Sequence, residues 1–157
     1  MNRPNTLAEV AVRVSAGAAF GPMLSEFLDE FYGHPERRQA MIDDEPALLA
    51  DAREHAMLGA VGEHLARRWG LAVPTWTDDA LRFLHEPYFT TPIENLKAML
   101  LAQSPRAFRR RLIFTEAEPL RRARMPRAPT RQYRNPSSHC ASFIYSAARF
   151  TISGALA

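Results

Sequence analysis

The stretch 46-PALLADAREHAMLGAVGEHLARRWG-70 decides the fold class. Leu48, Leu49, Ala52, Ala56, Leu58, Val61, Leu65 and Trp69 recur at the one-, three- and four-residue spacings that gather apolar side chains on one face of an α-helix. Pro46 suits the first helical position, where its missing N–H is not needed, and Gly70 suits the left-handed residue that closes a helix. The spacing predicts a helix over 46–69. A helix that long with one apolar face is stable only when other helices cover it, so the neighbouring sequence must supply them.

Upstream, "TLAE" reads as a helix start, with Thr6 as cap and Glu9 reaching back, and with Leu7, Val10 and Val14 on one side. "SAGAAFGP" interrupts that helix at 15–22. Met23, Leu24, Phe27, Leu28 and Phe31 then predict a second, core-facing helix opened by Pro22 and ended by Gly33, and a short helical segment follows Pro35 through "ERRQAMI". Downstream, 71–92 mixes prolines and aromatics around a helical turn at 78–84 and reads as an ordered connection. Pro92 opens a further helix carrying Ile93, Leu96, Met99, Leu100 and Leu101. Ser104 and Pro105 have the cap and first-turn identities for an arginine-rich helix after them. No internal repeat, heptad run or strand set large enough for a sheet is present. The fold class expected is all-α, a compact bundle of about five to six helices in a domain spanning 1–125.

The charge is unevenly spread. The net charge of +3 sums a body, 1–118, with 13 basic and 17 acidic residues, and a remainder, 119–157, with seven arginines and no acid. Phosphate-binding potential read from the whole-chain charge would therefore credit the domain with a property of its tail. Lys97 is the sole lysine among 20 basic residues, a bias that points to codon composition rather than function. After Pro119 the sequence gains Pro and Ser and loses helical period, which predicts a basic, low-order tail over 126–157. So abrupt a change is also what a frameshift near the end of a gene produces.

Several function classes are disfavoured. The apolar positions of the amino terminus are broken by Glu9 and Arg13, so no secretory signal is expected, and no run reaches the roughly 20 apolar residues of a membrane span. A cytoplasmic protein without membrane contact is the expectation, and the lone Cys140 agrees with a reducing compartment. His55 and His64, nine residues apart on one helix, point to nearly opposite faces and do not make a shared metal site; His34, His85 and the His139/Cys140 pair lack partners at useful spacing. The carboxylates of "DDEP", at Asp43, Asp44 and Glu45, read as charge at a helix start ahead of Pro46, and Asp78 and Asp79 as the same for "ALRFL". No nucleotide-binding loop, serine elbow, zinc-helix pair or Cys-x-x-Cys occurs. No metal, cofactor or catalytic residue is therefore assigned, and a non-enzymatic protein is expected; an enzyme using Asp43, Asp44 or His55 ranks last.

Two stretches invite a binding reading. Trp69, Trp76, Phe83, Tyr88 and Phe89 crowd 21 positions, as core aromatics or as partner anchors, and Pro87 fixes the approach to Tyr88 and Phe89. In 104-SPRAFRRRLIF-114, a helix from Pro105 would gather Arg106, Arg109 and Arg110 within about a 100° arc, place Arg111 on its flank, and turn Phe108 and Leu112 to the core. The alternatives are a solvated helix end, a surface for a protein partner, and direct phosphate contact.

With those landmarks in order, "FLDEFY" (27–32), "VPTW" (73–76), "FLHEPYF" (83–89) and "LKAMLLAQSPRAFRRRLIF" (96–114), the chain resembles a small, uncharacterised bacterial protein family encoded beside partner genes of toxin–antitoxin type. The likeness covers about residues 6 to 125, where that family's sequences end. It implies a helical protein acting with a partner, in an antitoxin-like role, and transfers no activity. The expected function is a bacterial protein-binding module using Arg106, Arg109, Arg110, Arg111, Tyr88 and Phe89. The alternative is a nucleic-acid-binding protein that meets phosphates through Arg106 to Arg111. A helix-turn-helix over the first two helices fits poorly, because "SAGAAFGP" is long for the turn and the second helix is acidic at Glu26, Asp29 and Glu30.

Overall fold

In the structure, a computed structural model that describes residues 3–126, the chain is built around α4 (Ala52–Trp69). α1 (Leu7–Ser15), α2 (Phe20–Gly33) and α3 (Arg38–Asp43) precede it, and α5 (Lys97–Gln103) and α6 (Arg106–Arg109) follow, with short 3-10 turns between. The single ladder among the described residues is two residues long: β1 (Tyr88–Phe89) lies parallel to β2 (Ile113–Phe114). An all-α bundle is what the spacing predicts. The basic tail expected at 126–157 falls, beyond Pro126, outside the described residues, while Leu120 to Met125 belong to the body. Leu120 is buried, Tyr32 donates its hydroxyl to the Leu120 carbonyl at 2.9 Å, and Arg122 grips Asp29 through two hydrogen bonds.

Helix ends follow local chemistry. Thr6 accepts from the Glu9 amide at 3.1 Å, while the Glu9 carboxylate reaches one residue past the expected position to the Asn5 amide at 2.7 Å. α2 starts two residues before Pro22, which therefore sits inside its first turn. α4 starts six residues later than the apolar spacing suggests, because Asp51 caps it by accepting from the Arg53 amide at 2.7 Å. The "DDEP" carboxylates accordingly do not cap α4. Residues 46–50 stay irregular: the Pro46 carbonyl turns inward to accept from buried Arg82 at 2.7 Å, and Leu48 is left exposed. At the other end Gly70 adopts φ +67° and the chain closes onto the Ala66 carbonyl, as its glycine predicts.

α4 departs from the one-faced helix its leucines suggest. Ala56, Leu58, Ala60, Val61 and Leu65 join the apolar core, which also holds Leu7, Val10, Phe27, Phe31, Ile42 and Phe108, but Gly59, Gly62, Glu63 and Ala66 are buried too. Those four recur at i, i+3, i+4 and i+7 and form a second stripe. Its small side chains let other groups approach closely. A Cβ on Gly62 would lie 2.6 Å from the Trp76 ring, and one on Gly59 would lie 3.0 Å from the Arg111 Nε and 3.1 Å from the Arg82 Cβ. α4 thus packs against α3 and, along the small stripe, against α6 and the 75–82 turns.

Candidate interaction surface

The arginine segment does not act as one basic face. α6 is only four residues long, and it ends where Leu112 takes the left-handed φ of +58°, unusual for a side chain with a Cβ. Leu112 therefore lies beyond the helix and does not pack as its second apolar anchor; its carbonyl instead accepts from the Tyr88 amide at 2.8 Å and starts the ladder. Phe108 is buried, as expected. Ser104 does not cap α6. Its hydroxyl lies 2.6 Å from the Leu100 carbonyl and accepts from the Thr115 amide at 2.8 Å, tying the end of α5 to the end of β2.

The four arginines separate into two pairs. Arg111 is corrected from the flank of a surface to the interior: it is wholly buried, and its guanidinium donates to Glu63 at 2.6 Å, to the Ala107 carbonyl at 2.7 Å and to the Thr77 carbonyl. Glu63, also wholly buried, receives Arg110 on both oxygens at 3.1 Å and Arg67 at 2.9 Å. Burial pushes the Glu63 carboxyl up, but hydrogen bonds from Arg111 and Arg67 outweigh it and hold the group below its ordinary value. Arg110 also pairs with Asp78 at 2.9 Å, and Phe83 lies beneath both guanidiniums. Arg110 is thus a strut with an exposed edge. The side chains of Arg106 and Arg109 are exposed, with no ion pair or hydrogen bond among the described residues. The reason is local: residues 110 and 111 turn toward the small stripe of α4, where Glu63 waits, while 106 and 109 look away from it.

Helix α5 has the opposite pattern. Leu100 is its one buried residue, and Ala98, Met99, Leu101 and Ala102 are exposed, so its outward arc is apolar between Lys97 at one end and exposed Gln103 at the other. Ile93, just upstream, is 55% exposed, Leu101 45% and Met99 42%. Lys97 sits at the margin, paired with Glu94 at 2.6 Å and lying over the Phe89 ring. Sequence reading placed these apolar residues in a helix but not on a binding face; the available signal was seven residues with too few polar ones to define a solvent side.

Tyr88 and Phe89 are half-buried on opposite faces of β1. Phe89 stacks on Phe114 toward α5, at 5.0 Å between ring centres. Tyr88 lies under the Arg53 guanidinium and borders a cleft of about 270 Å³ with Phe20, Asp51, Glu54 and Met57. Phe89 therefore lies on the α5 side, under Lys97, whereas Tyr88 faces the start of α4 and is not brought to the same surface. The other aromatics of that cluster are internal or half-internal: Trp76 donates its indole N–H to the Ile42 carbonyl at 3.0 Å and lies against Arg82, and Trp69 stacks under Arg38.

The remaining titratable groups do not converge. His55 is buried and its Nδ1 accepts from the Leu49 amide at 3.5 Å, while burial and then the nearby Arg82 charge lower its pKa. His64 packs edge-on against Phe108, and burial, with Arg68, pushes its pKa down to about 4. Asp43 holds Gln39, and Asp44 is exposed beyond α3. Among the described residues no three His, Cys, Asp or Glu side chains gather to hold a metal ion, and no helix is long and apolar enough to cross a membrane. Compared with protein-family models, curated proteins and solved structures, the chain matches none.

Proposed function

We propose that this chain is a non-enzymatic bacterial protein-binding module, antitoxin-like in acting through a partner protein, and that the α5–α6 corner is its docking surface. The observation that carries this reading is the outward arc of α5: Ala98, Met99, Leu101 and Ala102 lie in water on a helix with one buried anchor. An apolar arc of that kind raises the free energy of the isolated chain by roughly 25 cal/mol for each Å² it leaves wet, a cost that a covering partner removes. Phe89 lies beside it under Lys97, and exposed Arg106 and Arg109 follow it within a few residues, supplying the aromatic and polar rim of an interface; Tyr88, expected to join them, faces the start of α4 instead. A specific complex needs about 800 Å² per partner, so the surface must extend beyond α5 to these neighbours.

The test is native mass spectrometry of the full chain co-expressed with its genomic neighbours, beside Leu101→Glu. A heterocomplex of fixed ratio that Leu101→Glu abolishes is expected. A free monomer in both preparations refutes the reading.

Nucleic-acid binding keeps two unpaired cations, Arg106 and Arg109, rather than the four of the whole segment. Two phosphate contacts give a log–log salt slope of roughly −2, against −3 to −4 for four. An affinity for short duplex DNA or RNA that follows that slope and disappears in Arg106→Glu/Arg109→Glu would favour this second reading.

A further inference from the structure

Resting on the protein-partner reading, the α5–α6 corner also specifies the chemistry of what docks there. Three features of the surface combine. Along α5, Ala98 and Ala102 stand four residues apart on the exposed side, with Met99 and Leu101 on either side of them. Small residues one turn apart, walled by larger ones, form the shallow groove into which a ridge of another helix fits, at the 8–10 Å separation of packed helices. Just past the turn at Ser104 and Pro105 the chain carries exposed Arg106 and Arg109, which no carboxylate of the described residues neutralises, although Arg110, Arg111 and Arg67 are all paired. Arg37, Arg121 and Arg124 are exposed without an ion pair among the described residues as well; the corner is where two such cations, one turn apart, follow an exposed apolar arc within a few residues of sequence.

We infer that the corner binds an acidic amphipathic helix, its apolar ridge seated over Ala98 and Ala102 between Met99 and Leu101, and its carboxylates one to two turns further on reaching Arg106 and Arg109. A second copy of this chain is a poor occupant. Seven residues give a helix of only about 10 Å, short of a stable two-fold interface on α5 alone. A second copy would also offer Arg106 and Arg109 little: Glu94, the carboxylate just ahead of α5, is already taken by Lys97.

The probes are three synthetic helical peptides with one identical leucine face and with glutamate, lysine or glutamine on both flanks, titrated by fluorescence anisotropy against the full chain. The glutamate peptide is expected to bind saturably and at least tenfold more tightly than the lysine peptide, with glutamine between them. Arg106→Glu/Arg109→Glu should invert that order, so that the lysine peptide becomes the tighter ligand, and Met99→Ser should weaken all three about equally. These positions are exposed, and circular dichroism of the variants confirms the fold. Equal binding of glutamate and lysine peptides, absence of saturable binding by all three, or an order unchanged in the double variant would each overturn the inference. Concentration-dependent dimerisation of the free chain that Ala98→Glu abolishes would overturn it in favour of a second copy. A heterocomplex with a genomic neighbour that survives Arg106→Glu/Arg109→Glu would leave the partner reading standing and remove the acidic helix alone.

Discussion

The two sides of the 97–111 segment invert the usual distribution of side chains. At α6 a carboxylate and a guanidinium are wholly buried, whereas at α5, a few residues earlier, leucine, methionine and alanine face water. Burying ions is costly unless every charge is paired and hydrogen-bonded, and Glu63 meets that condition with Arg67, Arg110 and Arg111. The α6 side is therefore paired in charge within the chain, although the buried Arg111 Nε has no hydrogen-bond partner among the described residues. The α5 side leaves its apolar arc uncovered, and the difference separates a region that holds the fold from one that is free to recognise something.

Breaking the paired side should have the largest effect. Glu63→Gln leaves Arg111 charged, buried and without its counterion, a change that costs about 3–5 kcal/mol in comparable buried pairs. For a domain of this size the melting temperature should fall by roughly 10–20 °C, measurable by calorimetry. Replacing both partners, Glu63→Leu with Arg111→Met, should recover most of that loss, because two apolar side chains leave no orphaned charge. If the single and double variants melt together, the pair is not what holds α4 to α6.

Acid should loosen the same side next. In the folded chain His64 titrates near 4, against an ordinary 6.5, because burial disfavours its charged form. The unfolded chain binds that proton first, so the stability tied to neutral His64 is complete above pH 6.5 and disappears as the pH falls toward 4. The loss is up to about 2–3 kcal/mol. His55, also lowered by burial, adds to it, and Glu63, held below its ordinary value, extends the loss below pH 4.5. Urea unfolding at pH 7.5, 6 and 4.5 should show midpoints falling in that order, and His64→Leu should flatten the upper part of the curve.

How far the sequence disclosed these regions depends on side-chain size. The leucine stripe of α4, the capping threonine at the start of α1 and the closing Gly70 are visible because large apolar spacing and end chemistry are local signals. The second stripe of α4 was equally periodic, at Gly59, Gly62, Glu63 and Ala66, but glycine and a carboxylate read as solvent-facing residues until something is known to press on them. Arg82, Arg111 and Trp76 press on them, and all three come from distant segments. Arg111 was likewise indistinguishable from Arg109 by sequence, since only the position of Glu63, 48 residues away, sends one inward. The end of α6 was hidden for a related reason. Leu112 takes a backbone conformation that its residue type disfavours, and the ladder with Tyr88 holds it there.

Close approach along that small-residue stripe gives the third test. Ala is preferred to Gly inside a helix by about 1 kcal/mol, so Gly62→Ala would stabilise α4 if space allowed. Its Cβ would lie 2.6 and 2.9 Å from Trp76 ring carbons, and that ring is fixed by the indole bond to Ile42 and by Arg82 against it. Overpacking of this kind costs about 1–3 kcal/mol, so a net loss of roughly 1 kcal/mol and a few degrees in melting temperature is expected. Gly21→Ala in α2, where nothing stands within 4 Å, should instead stabilise by about half that amount. Equal effects at the two positions would mean that the stripe is not tightly packed.

The smallest expected effect on stability falls on the α5 side. Met99→Ser and Leu101→Gln remove apolar area that is already about two-fifths exposed, so unfolding free energy should change by no more than about 0.5 kcal/mol. A larger loss would show that α5 is a structural element whose exposed side matters to the fold, and would return Met99 and Leu101 to the core. If stability holds and the proposed heterocomplex forms, the same two substitutions should reduce it well beyond their effect on folding. Truncating a side chain at the centre of an interface costs more than 1 kcal/mol when that residue is an anchor, a five-fold or greater loss of affinity. The sharpest form of the comparison is therefore a pair of ratios: Gly62→Ala lowers the melting temperature and leaves binding in proportion to the folded fraction, while Leu101→Gln lowers binding and leaves the melting temperature where it was. Each side of the segment then fails in its own assay, which a surface serving both fold and partner would not do.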